Sequence, residues 1–439
     1  MSFPKYDRYK NSGVEWLGEV PEHWEVGHVK RLATKITDGS HISPETENGV
    51  YAFISTKDVR NDSLDFDNCL RTSVENYEYL VRTGCKPIAG DVLFSKDGTI
   101  GRTVVIKEDR DFVVASSLII ISPDQNILSS VFLNYLCQSS TIASQVECFV
   151  KGAGLPRLSI QNLLRIIGVF PPLPEQRSIA TFLDRETTKI DELIAEQQQL
   201  IDLLKEKRQA VISHAVIKGL NPDAPMKDSA IEWLGEVPEH WEVMQLRFFA
   251  EILRGKFTHR PRNDPDFYDG DYPFIQTGDI TGASRYITEH KQTLNERGIS
   301  VSKEFPKGTL VMTIAANIGD VAILGFPAYF PDSIVGFFPV MSVDLMFLYY
   351  LIGAMKQPMT RMATVSTQMN LNIEQIASLS AACPPIQEQK AIVDYLDKVL
   401  TELAQLIAEA QHAIALLRER RTALISAAVT GKIDVRSLV

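Results

Sequence analysis

The sequence predicts a mixed α+β protein: two mixed α/β domains separated by two long helices, arranged as an internal pseudo-two-fold repeat. Three observations carry that expectation. The string WLGEVPEHWEV at residues 16–26 returns letter for letter at residues 233–243. FPPLPEQRSIATFLD (170–184) returns as CPPIQEQKAIVDYLD (383–397). After each of these second boxes, apolar residues recur every seven positions over about five heptads, which is coiled-coil length. A repeat of this kind is sought before finer structure, because it sets the architecture. It divides the 439-residue chain into a first domain (1–174), a central helix (175–220), a second domain (221–387) and a C-terminal helix (388–439).

Taken in order, each half opens on the tryptophan box, where Gly18 and Pro21, or Gly235 and Pro238, punctuate the chain as a turn requires. Val26, Val29, Leu32 and Ile36, like Val243, Leu246, Phe249 and Leu253, then fall near helical spacing, so a strand running into a short helix is predicted. YAFISTKDV (51–59) faces YPFIQTGDI (272–280), and GDVLFSKDGTIG (90–101) faces GTLVMTIAANIG (308–319). Asp97-Gly98 between apolar runs signals a hairpin, with Asn317 near the matching turn. VVASSLIIIS (113–122) reads as one short buried strand. Each long helix starts after a double proline and stops near a glycine, Gly219 or Gly431. Leu183, Ile190 and Leu204 occupy one heptad position of the first helix, and Leu193 and Leu200 the alternate one. Leu396, Leu403, Leu417 and Leu424 do so in the second, with Leu406 in the alternate position.

Hydrophobic content of 45% and charged content of 23% are those of a soluble globular protein. Apolar runs are too short to span a bilayer, no apolar leader opens the chain, and five cysteines form no CxxC pair. Reduced thiols in a cytoplasmic protein are expected. A net charge of −10 excludes a protein that coats nucleic acid nonspecifically. Residues 1–174 carry 18 Lys+Arg against 21 Asp+Glu, and 221–387 carry 13 against 19, so contact with DNA must come from local patches.

Catalytic signatures are missing from the sequence. It holds no GxxxxGK[ST] loop, GxSxG elbow or HExxH helix. FPPLPE and CPPIQE approach the box of amino-methyltransferases, but Phe170 and Cys383 replace the amide or acid, and Leu173 and Ile386 the stacking aromatic. The eight histidines show no metal-ligand spacing, so neither a catalytic nor a metal site is expected. RGKFTHRPR (254–262) holds four cations and a histidine before turning acidic at Asp264. It suits a loop laid on phosphates with its acidic continuation facing away. KGAGLPRLSI (151–160) and VSTQMNLNI (365–373) are polar turns whose side chains could read base edges or simply cap loops.

The duplicated W-L-G-x-V-P-x-H-W-x-V box, FI-x-T-x-D, the strand pair ending in IG, PP-x-x-EQ and the terminal ISAAVTGKIDVR, in this order, resemble the specificity subunit of type I restriction-modification systems. The likeness covers essentially the whole chain. It implies a non-catalytic subunit in which two target-recognition domains each read one half of a split, asymmetric site on double-stranded DNA. The two helices, antiparallel by this resemblance, set the spacing and dock two methyltransferase subunits. S-adenosylmethionine, ATP and magnesium are then expected on partner subunits, restriction subunits joining through the complex, with no cofactor on this chain.

By loop position, the resemblance points to Ser40, His41, Thr56, Lys57, Arg60, Lys96, Lys151 and Arg157 as DNA contacts in the first domain. In the second it points to Lys256, His259, Arg260, Arg262, Gln276, Thr277, Asn317, Thr367, Gln368 and Asn370. The tryptophan box is expected to anchor structure or to offer a surface to the methyltransferase subunits rather than to read bases, since halves that read different sequences should not share reading residues. Two other classes stay open: a coiled-coil scaffold, and a stand-alone methyltransferase or nuclease with a diverged site.

Overall fold

β-branched and aromatic runs bounded by glycine turns become short strands, and the two heptad segments become the two longest helices. The computed structural model describes residues 3–42, 49–60, 63–150, 156–363 and 370–438. These form two compact units, one of Met1–Gln198 with Gln411–Val439, the other of Gln199–Ala410.

In the first unit, β1 (Glu25–His28) leads through a single 3-10 turn, Val29–Arg31, into β2 (Ala33–Asp38). The helix predicted after the tryptophan box is therefore only this turn, and a strand follows it. Next come β3 (Tyr51–Ile54), β4 (Leu70–Thr72), β5 (Val92–Ser95), β6 (Thr103–Val105), β7 (Phe112–Val114), β8 (Leu118–Pro123) and β9 (Ile167–Phe170). One antiparallel sheet has the order β6-β5-β8-β2, a second, mixed sheet has β7-β3-β4 with β7 parallel to β3, and β9 pairs with β1. The run 113–122, predicted as one strand, is two strands in different sheets, turned at residues 115–117. Side chains alternate across β5: Val92 and Phe94 join a core with Phe132 and Leu183, while Leu93 joins Ile54 and Phe112 on the other face. The β5–β6 hairpin forms where Asp97-Gly98 predicts it.

The second unit repeats this plan with β10 (Glu242–Gln245), β11 (Ala250–Arg254), β12 (Tyr286–Ile287), β13 (Leu310–Thr313), β14 (Val321–Leu324), β15 (Ile334–Pro339) and β16 (Ser380–Cys383). Its main sheet runs β11-β15-β13-β14-β12, and β16 pairs with β10 as β9 does with β1. Leu310 and Met312 face one core, Val311 the other.

The long helices α1 (Leu173–Lys218) and α2 (Ile386–Val429) each contribute to both units. The start of α1 lies with the end of α2 in the first unit, and the end of α1 with the start of α2 in the second, the order of an antiparallel pair. Leu183, Ile190, Leu204, Leu396, Leu403 and Leu424 are buried, and Leu417 is half-buried. Leu193, Leu200 and Leu406 are exposed, contrary to the predicted stripe. The covered alternate positions lie one residue later: Thr187, Ile194 and Ile201 in α1, Leu400, Ile407 and Ile414 in α2. Stepping four residues rather than three from Leu183 or Leu396 keeps the covered face in line on a 3.6-residue helix.

The two repeated boxes turn out to be one latch. Glu175 accepts from Trp24 Nε1 at 3.1 Å and pairs with His23 Nε2 at 2.8 Å. Glu388 does the same for Trp241 Nε1 at 2.9 Å and His240 Nε2 at 2.7 Å. The next residue caps the helix that follows each main sheet: Gln176 Oε1 accepts from Ser129 N–H and Gln389 Oε1 from Asp344 N–H, both at 2.8 Å. Gly219 and Gly431, at φ 75° and 74°, end the helices against these same tryptophans. An added Cβ would stand 3.1 Å from Trp241 and 3.2 Å from Trp24, respectively. Trp24 and Trp241 are fully buried, whereas Trp16 is half exposed, so the second tryptophan of each box is the anchor.

Candidate nucleic-acid interface

At one end of the first unit's main sheet, four chain segments meet around the turn between β7 and β8. Ser40 N–H donates to Val114 O at 2.8 Å, and Lys96 N–H to Ser117 O at 2.9 Å. Thr56 donates to Ser117 through both its N–H and its hydroxyl, each at 3.1 Å. Leu158 N–H closes the group on Lys96 O at 2.9 Å. Gly39 makes the approach possible, since a Cβ there would lie 2.2 Å from Val114 O.

The same backbone contacts recur in the second unit. Lys256 N–H donates to Phe330 O, Ile314 N–H to Ser333 O and Leu371 N–H to Ile314 O, each at 3.0 Å. Gly255 permits the approach there, its absent Cβ lying 2.2 Å from Pro331 O. Thr56 and Thr277 both open one-turn helices fastened by capping boxes, Ser55 with Asp58 and Gln276 with Asp279. The loops chosen from the sequence by position are thus brought together, separately, in each unit.

Their side chains differ in availability. Ser40 is buried and its hydroxyl accepts from Ile42 N–H at 2.9 Å. Lys96 is buried too, its ammonium 2.7 Å from Asp38, which also meets His41 at 3.2 Å. Burial pushes the Asp38 carboxyl up, but the Lys96 hydrogen bond and charge outweigh this and hold it below the usual carboxylate range. Lys57 is exposed, and Arg60 pairs with Asp65 at 3.3 Å. Arg157 clasps Asp97 with two bonds of 2.7 and 2.9 Å.

In the second unit Lys256, Asn317 and Asn370 are exposed. His259 stacks on Phe267 at 3.9 Å and meets Asp264 at 3.0 Å. The acidic continuation of the basic loop therefore folds back onto it rather than facing away, as its charge sequence suggests. Arg260 and Arg262 converge on Asp332, and Arg260 also donates to the carbonyls of Phe257 and His259 at 2.6 and 2.8 Å. Gln276 Nε2 donates to Gln292 at 2.9 Å, and Asn317 Nδ2 to Thr281 at 3.3 Å. Thr277 O accepts from Thr281 at 3.1 Å. Lys151, Thr367 and Gln368 lie outside the described residues.

Asp38, Asp97 and Asp332 are what the sequence reading missed. Asp97 was read only as a turn residue of Asp97-Gly98, Asp38 closes a strand without a local sign of its partner, and Asp332 is too distant in sequence from its arginines to be paired by inspection. In each unit the loops set neutral and cationic donors beside carboxylates that hold them in place, an arrangement suited to hydrogen-bonding base edges.

A family model described as type I restriction modification DNA specificity domain matches residues 21–203 and again 238–414. The chain is 23% identical over 463 residues to the type I restriction enzyme MjaVIII specificity subunit of Methanocaldococcus jannaschii, spanning 100% of this chain and 99% of that one. A solved structure from work on complex assembly and conformational transition of the type I R-M system aligns with a TM-score of 0.69. Its identity is 16%, and the match covers 93% of this chain and 98% of that one. The HsdS subunit from Thermoanaerobacter tengcongensis aligns at a TM-score of 0.52 and 15% identity, over 94% and 98%. At such identities the structural likeness speaks for the fold.

Proposed function

Since this chain belongs to the family of type I restriction-modification DNA specificity proteins, we propose that each of its two units reads one half of a split, asymmetric site on double-stranded DNA. The family is the non-catalytic DNA specificity subunit of these systems. The observation that best supports the reading is the loop cluster built twice on one backbone plan but lined differently: Lys96, Asp97 and Arg157 in one unit, Ile314, Ala315 and Asn370 in the other. A shared plan gives both units the same approach to a duplex. Different side chains give them different sequences.

In this reading the paired helices set the distance between half-sites, as dimer geometry does in simpler DNA readers. The duplicated surfaces dock two methyltransferase subunits, through which restriction subunits join. S-adenosylmethionine, ATP and magnesium belong to those partners, and this chain binds none of them.

Two assays of the purified chain test this. With S-adenosylmethionine and DNA it should transfer no methyl group until a methyltransferase subunit is added. Its assembled complex should bind one split site with an affinity that falls steeply with salt. Methylation by the chain alone would overturn the reading in favour of a stand-alone enzyme. Absence of any DNA binding by the complex would overturn it in favour of a scaffold.

A further inference from the structure

One isolated backbone bridge closes the loop cluster in each unit, and its side chains differ. Asp97 faces Arg157 in the first unit, and Ala315 faces Asn370 in the second. Arg157 donates from Nε to Asp97 Oδ1 and from Nη2 to Oδ2, at 2.7 and 2.9 Å. The carboxylate is nearly buried while the arginine side chain is 59% exposed. A guanidinium carries its N–H donors in one plane as a fixed fork. The clasp uses the edge formed by Nε and Nη2, and the other edge, with its parallel pair of donors, has no hydrogen-bond partner among the described residues.

That pair matches two acceptors lying side by side, which in the major groove are O6 and N7 of guanine. Asn370 is exposed, and Ala315 across the bridge offers it no side-chain partner. Its amide presents one acceptor and one donor, the complement of N6 and N7 of adenine.

We infer that Arg157 reads a guanine in the half-site of the first unit and that Asn370 reads an adenine at the matching place in the other half. The inference rests on the half-site reading above and refines it to two bases. The competing role for Arg157 is a phosphate contact, which needs only positive charge. Asp97 weighs against it, because the carboxylate cancels that charge and repels phosphate. Neutral base edges are indifferent to the net charge and gain from a guanidinium already held in one orientation.

The test maps modified adenines in cells carrying the chain with its methyltransferase subunit, comparing wild type with Arg157→Ala, Arg157→Lys and Asn370→Ala. Both Arg157 variants should relax the same G·C position in one half-site, lowering discrimination there about 10- to 100-fold. Other positions should stay fixed, which also shows that the variants fold. Asn370→Ala should relax an A·T position in the other half. Retention of the wild-type motif by Arg157→Lys, or relaxation at an A·T pair, overturns the guanine assignment. An unchanged motif in Asn370→Ala overturns the adenine assignment. A wild-type motif that is not split overturns the half-site reading itself, whatever the variants do.

Discussion

Glu175 and Glu388 show how a short box can be fixed by structure rather than by recognition. Each is the sole carboxylate of its PP-x-x-EQ motif, and each takes the indole N–H of a buried tryptophan more than a hundred residues upstream. Glu175→Ala should leave Trp24 Nε1 buried without a partner and cost about 1–3 kcal/mol. His23→Ala, which removes only a half-exposed ring, should cost much less. Urea unfolding of the two variants measures this, and equal losses would contradict the latch. Asp38 adds a pH dependence. Its folded-state carboxyl titrates below its unfolded value, so its stabilisation is present above about pH 4 and is lost as pH falls through the folded value. The stability gap between wild type and Asp38→Asn should therefore narrow in acid; a gap that stays constant down to full protonation would contradict the Asp38–Lys96 pairing. These three carboxylates are visible in the sequence, but their partners are not, because the bonds join segments that local pattern cannot bring together.

At the scale of elements, the sequence was most legible where a pattern is long. The helices, their glycine stops and the hairpin at Asp97-Gly98 follow from periodicity and turn chemistry alone. The register within the helices did not, because steps of three and four residues both satisfy a heptad over short windows. Leu193 and Leu200 are apolar, as are Ile194 and Ile201, so composition cannot choose between adjacent stripes. Burial does choose: Ile201 is 2% exposed and Leu200 43%. Ile201→Ala should cost about 2–5 kcal/mol and Leu200→Ala less than about 1 kcal/mol. Thermal melts of both would decide, and the reverse order would contradict the observed register. Residues 113–122 were misread for a related reason: a continuous apolar run does not show that the chain turns at residues 115–117 to leave one sheet for another.

For the whole molecule, the duplication was legible from identical boxes, and the clustered loops were legible as loops. Which side chains stay free there was not, since Ser40 and Lys96 turn inward while Lys57, Lys256 and Asn370 remain exposed. Periodicity also marks where each helix starts and stops without showing that its two ends are covered by different units. Seven residues inserted after Gln198 and seven after Ala410, at the unit boundaries of both helices, would lengthen the pair by about 10 Å. On the proposed reading, the gap between half-sites should grow by roughly three base pairs; an unchanged gap in the methylation pattern would remove the helices from the role of spacer.

The central claim, that two units built on one plan read two different half-sites, is met most directly by a genome-wide map of modified adenines in cells carrying this chain with its methyltransferase subunit. The account expects a single motif in two unlike parts, separated by bases of no fixed identity. A continuous motif, or one whose two parts are identical by symmetry, would contradict it.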